Sequence, residues 1–152
     1  MRTLLLSLAA VTALTACSSK PSSTRLDAAE SRALLIDRNW LDHMPATETD
    51  KLFVYRFVPN MGGGVFQDRT LFKGTFELFS FSVLDDKINF VLHETKEKVS
   101  SPFTIEKVDG PQPFDLKLTI TDDPRGPHVY YGIKAETDRD GAKLEHRLAA
   151  QH

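Results

Sequence analysis

From residue 34 to residue 134, apolar and polar positions alternate in short runs separated by turn residues. Residues 51–58 place Phe53, Tyr55 and Phe57 on one face, and Asn60-Met61-Gly62-Gly63-Gly64 then breaks the pattern as a turn. Residues 65–72 and 74–83 predict two further strands. The second carries Phe76, Leu78, Phe79 and Phe81, so bulk lies on both faces and a bulge is expected there. Asp85-Asp86 is a tight turn into residues 87–94, where Ile88, Phe90 and Leu92 share a face. A weaker strand over 102–108 precedes the Asp109-Gly110-Pro111 turn. Residues 115–121 alternate most cleanly, with Leu116, Leu118 and Ile120 inward, and residues 128–134 form the last strand. With the apolar segment around Trp40, which Pro45 stops, the chain predicts eight short strands.

Ahead of them, residues 26–35 are helix formers. Asp27 serves as N-cap and Glu30 stands at the capping-box position three residues later. Eight strands at this spacing indicate an all-β barrel or sandwich. Most connections are short, so hairpin follows hairpin. Such a meander closes most simply into a small eight-stranded antiparallel up-and-down barrel with one short N-terminal helix, which leaves no exposed sheet edge. A two-sheet β-sandwich is the alternative. All ten phenylalanines fall between Phe53 and Phe114, where they suit strands and a shared core.

The first residues follow another rule. Arg2 precedes a charge-free apolar run over 3–14, too short to span a bilayer but of signal-peptide length. The run ends in Leu14-Thr15-Ala16-Cys17, which resembles the bacterial lipobox. That resemblance implies recognition of Leu14, Thr15 and Ala16 by a signal peptidase, cleavage before Cys17, and a diacylglyceryl thioether on Cys17 with further acylation (palmitate or a similar chain) of its amine. An ordinary secretory signal is the competing reading. Cys17 is the chain's one cysteine, so no internal disulfide is available, and a thioether would leave no free thiol in an oxidising compartment. One acyl chain binds a membrane marginally and two hold it firmly. Ser18 follows the cysteine, and by resemblance to enterobacterial sorting this points to the outer membrane of the cell envelope.

The chain therefore divides into a signal segment (1–16), a lipidated tether (17–25), a β domain (26–135) and a polar tail (136–152). The tether, rich in Ser and without apolar side chains to bury, is expected to be disordered. A formal net charge of −2 with no block of like charge gives no basic footprint for nucleic acid.

Motifs for chemistry are equally sparse. His43, His93, His128, His146 and His152 have neither the close pairing nor the cysteine partners of a metal site, although His93 and His128 lie on strands that could meet. Asp138-Arg139-Asp140-Gly141 resembles the centre of a calcium loop, but Ala149 stands where its twelfth-position glutamate belongs. The glycine run at 62–64 lacks the lysine of a phosphate loop, and no G-x-S-x-G elbow occurs. Asp85-Asp86 and Asp122-Asp123 read as turn carboxylates. The expectation is a protein that is not an enzyme and carries no cofactor or metal.

The short helix, the early tryptophan strand and the eight-strand meander resemble the small lipocalin-like domains of bacterial lipoproteins, within the calycin group. The resemblance covers about residues 30–135. It implies a barrel whose mouth takes a small apolar molecule, with Trp40, Tyr55, Phe90 and Tyr131 as the aromatic wall. Lipocalins place glycine two residues before the first-strand tryptophan, and Arg38 stands there here. The chain is also shorter than theirs. Both departures point to a second outcome, a solid barrel packed with phenylalanine that serves the envelope as a structural or protein-interaction part.

Overall fold

The computed structural model describes residues 23–137 and Ala150. The residues read as a signal segment and a lipobox, and most of the polar tail, lie outside the described residues. So do His146, His152 and the Asp138–Gly141 stretch.

Eight strands close into an antiparallel up-and-down barrel. They are β2 (Asn39–Leu41), β3 (Leu52–Val58), β4 (Gly63–Arg69), β5 (Gly74–Leu84), β6 (Lys87–Leu92), β7 (Lys98–Lys107), β8 (Leu116–Ile120) and β9 (Val129–Gly132). Each pairs with the next, and β9 returns to β2 through Leu41 and Tyr131. A ninth strand, β1 (Thr24–Arg25), pairs with Lys107 and Glu106 of β7 outside the barrel. Part of the segment expected to be a disordered tether is thus hydrogen-bonded, and Leu26 N continues the ladder to Ile105 O at 2.9 Å.

The helix forms where its cap requires it. In α1 (Ala28–Leu35) the Asp27 carboxylate accepts from Glu30 N at 2.8 Å. The Glu30 carboxylate turns outward to Lys107 at 3.2 Å, tying the helix to the end of β7. Leu34 and Leu35 point into the barrel core.

Three segments differ from the sequence-based expectation. β4 spans Gly63–Arg69, two residues earlier than predicted, because Gly62 already turns the chain with a left-handed φ of 80°. Phe72 consequently lies in the next turn. β5 has no bulge: its register with β4 and β6 runs without a skip, and the bulk on its outer face is simply exposed. β7 is much longer than expected. Its first half pairs with β6 and its second half with β8, a stagger that lets so short a barrel close. Pro102, which has no N–H to give, sits where the β6 ladder ends.

Two apolar clusters result. The barrel interior holds Trp40, Tyr55, Phe57, Phe79, Phe90, Leu116, Leu118 and Tyr130 among others. A second cluster lies outside β2 and β3. There Leu41, Leu52 and Val54 are covered by Leu71 of the β4–β5 turn, Phe114 of the β7–β8 connection and Ile133 of the chain leaving β9.

Candidate functional site

The first place to look for a function in a small barrel is its interior, and here aromatic rings occupy it. Tyr55 meets Tyr130 edge-on at 5.1 Å and Phe79 edge-on at 5.7 Å. Phe57 meets Phe79 at 5.6 Å, and Phe79 meets Phe90 at 5.4 Å. Such tilted and edge-to-face contacts are the favoured geometry for packed rings. Leu116, Leu118, Ile105 and Ile120 close the other side and are fully buried. An eight-stranded barrel leaves room for side chains or for one small ligand, and these side chains take that room.

Both mouths are also occupied. At the mouth reached by the β8–β9 connection, Asp123 folds inward and is buried. Its carboxylate accepts from the Tyr55 hydroxyl at 2.8 Å and the Tyr130 hydroxyl at 2.6 Å, and from the backbone N–H groups of Arg125 and His128. Burial, and then the adjacent Asp123 charge, pushes both phenols far above the usual tyrosine range, so they remain protonated donors. Arg125 enters the same mouth, lies over the Phe66 ring at 5.9 Å and pairs with Glu77 of β5. The connection is a plug: two hydrogen bonds to its carboxylate come from barrel tyrosines and two brace the loop itself.

The opposite mouth is closed by α1. The indole Nε1 of Trp40 donates to Leu35 O, at the end of the helix, at 2.9 Å. Arg38, in the position where lipocalins carry glycine, is buried and donates through Nη1 to Ile133 O at 3.1 Å and Lys134 O at 3.2 Å. Burial lowers its pKa, and Asp115 and Asp37 act against that shift. Its guanidinium stands 6.0 Å from the Trp40 ring. Arg38 therefore bolts the start of β2 to the chain leaving β9. On the rim beside the helix, a cleft of about 470 Å³ runs between Arg32, Ile36, Phe81 and Val83.

The outside of the barrel is uneven. Over β2 and β3, connections cover the apolar side chains, whereas over β4 and β5 they stand bare. Met61 is 80%, Phe72 72%, Phe76 68% and Leu78 49% exposed. On the same side, Ser80 Oγ and His93 Nε2 lie 2.8 Å apart. A serine nucleophile needs a base that is itself oriented, together with donors for an oxyanion. Among the described residues no carboxylate is hydrogen-bonded to the other His93 nitrogen, so the pair is a cross-strand contact. His128 lies in the plug, where its backbone N–H meets Asp123, and His43 pairs with Asp42 at 3.0 Å. No group of three or more His, Cys, Asp or Glu side chains among the described residues could hold a metal ion.

Of the four residues predicted to form an aromatic wall, Trp40, Tyr55 and Phe90 are fully buried inside. Tyr131 faces outward and stacks on Phe114 at 5.6 Å. The four do not line one space, because neighbouring strand residues point to opposite faces and Tyr130 takes the inward position. Leu14, Thr15, Ala16 and Cys17 lie outside the described residues. Comparison with family models, with curated proteins and with solved structures finds no match. The site residues that the sequence did not single out are Asp123 and Arg125, inside a loop that reads as a turn, and the bare row on β5. The row does leave a trace, since Phe76-Glu77-Leu78-Phe79 puts bulk on both faces of one strand.

Proposed function

We propose that this protein is a cell-envelope lipoprotein, held to the outer membrane by lipid on Cys17, whose solid barrel works through its outer surface as a structural or interaction part. The observation that carries the second half is the filled interior. The rings of Tyr55, Phe57, Phe79, Phe90 and Tyr130 touch one another where an apolar ligand would sit, and α1 and the Asp123 plug occupy the two mouths. A ligand inside the barrel would have to push packed rings apart and expose the Asp123 carboxylate. The lipobox resemblance at residues 14–17 supports the anchorage. Among the described residues no helix is long and apolar enough to cross a membrane.

Two measurements test the two halves. Trp40 is the chain's one tryptophan and lies in the core, so its emission reports on the barrel interior. Fatty acids and hydrophobic dyes should leave that emission unchanged; a saturable shift would overturn the solid-barrel reading. For the anchor, Cys17→Ala should abolish incorporation of radioactive fatty acid and leave uncut precursor, and undiminished labelling would refute it.

A further inference from the structure

We infer that the bare outer face of β4, β5 and β6 rests on an anionic bilayer surface, the one that carries the lipid on Cys17. The inference rests on the anchorage proposed above and adds the orientation of the barrel. Its first support is the asymmetry of the outer surface. The molecule covers the apolar side chains outside β2 and β3 with Leu71, Phe114 and Ile133, yet leaves Phe72, Phe76, Leu78 and Met61 open to water along the β4–β5 hairpin. Leu78 stands opposite Val65 in the register, and beyond the outward Ser80 and Ser82 a separate apolar tip, Leu84, ends β5 with 65% exposure. An exposed apolar cluster of this kind, Phe72, Phe76, Leu78 and Met61 together, marks a surface that is covered in use.

Charge selects the cover. The outward positions of β4 to β6 alternate with the buried ones. They carry Lys87 beside the apolar tips, with Lys98 at the edge, and no carboxylate, while Arg69 at the foot of β4 donates to the carbonyls of Thr70 and Leu71. The acidic groups of the adjoining turns, Asp85, Asp86, Glu94 and Glu97, are exposed beyond the strands, and Lys96 shares the second of those turns. Apolar tips beside cations suit a layer of anionic headgroups over acyl chains. A second copy would bring the same cations against each other. A protein partner would need pockets for its anchoring side chains, and the hollows here are small, about 140 Å³ beside Met61 and Leu78 and about 220 Å³ beside Phe72 and Phe76.

The tether selects the place. Between Cys17 and Thr24 lie seven residue steps, at most about 25 Å of extended chain. β1 then fixes the chain to β7, on the same side of that strand as β6. A barrel on so short a leash always has one side near the bilayer, and the high effective concentration lets a weak contact hold.

The test uses the full-length protein purified from membranes and reconstituted in vesicles, with a polarity-sensitive dye on Leu78→Cys and, as control, on Thr119→Cys of the opposite flank. The unsubstituted protein should take no dye, because a lipidated Cys17 has no thiol. In vesicles containing phosphatidylglycerol the dye at 78 should shift to the blue and lose quenching by iodide, while the dye at 119 stays water-exposed. The shift should shrink in phosphatidylcholine alone. If Cys17 carries lipid and position 78 stays as accessible as 119, the orientation is wrong and the anchorage stands. Dye uptake by the unsubstituted protein overturns the anchorage and the orientation with it. Shielding of position 78 that follows protein concentration and ignores lipid composition would assign the face to a second copy and overturn the bilayer contact.

Discussion

Asp123 has the most dependents of any single residue in this molecule. One buried carboxylate accepts from two buried tyrosine hydroxyls and two backbone N–H groups, and it joins the plug to β3 and β9. Asp123→Ala would leave both phenols without an acceptor, at a cost of about 3 kcal/mol. Urea denaturation should show that loss, and a much smaller one when Tyr55 and Tyr130 are already phenylalanine. The same knot sets an alkaline limit. Both phenols are raised in the folded state, so their contribution is fully present below the unfolded tyrosine pKa of about 10. Above it the unfolded chain loses protons that the folded one keeps. Stability should then fall by up to about 2.7 kcal/mol per pH unit for the pair. Urea titrations between neutral and strongly alkaline pH should show this slope and find it flattened in the double phenylalanine variant. None of this was legible in the sequence. Asp122-Asp123 reads as a turn because its local chemistry is that of a turn, and the tyrosine partner on β3 lies 68 residues away.

At the scale of the element, local rules worked where one face of a segment decides its environment. Residues 115–121 alternate cleanly and β8 forms there. Asp27 caps α1 as its spacing with Glu30 predicts. They were less informative for β5, since a strand with bulk on both faces does not say whether the second face is covered. Strand ends were also displaced where pairing across the sheet decides them, as in the early start of β4 at Gly63 and of β7 at Lys98. The β4 start is a sharp test of interior packing. A side chain at Gly64 would run into the Phe79 ring and come within 2.7 Å of Arg56 O. Gly64→Ala should therefore destabilise the fold by about 2 kcal/mol, as overpacking of a filled core does. A thermal melt of the variant checks it. An unchanged midpoint would mean that Phe79 has space to retreat inside the barrel.

For the whole molecule, closure of eight strands into an up-and-down barrel followed from their number, spacing and short connections. Whether the barrel is hollow did not. Ten phenylalanines suit a cup lined with rings as well as a core filled with them, and the difference lies in which strand residue takes the inward position. Tyr130 takes it and Tyr131 does not, which removes one side of the predicted wall. Arg38 and α1 at one mouth and Asp123 at the other complete a solid body whose outer surface is left to act. The most direct measurement of that claim is the mass of the native protein taken gently from the cells that make it. The account predicts the chain from Cys17 onward with its lipid and nothing else bound. A small apolar molecule that co-purifies in stoichiometric amount, and leaves only when the protein unfolds, would contradict it.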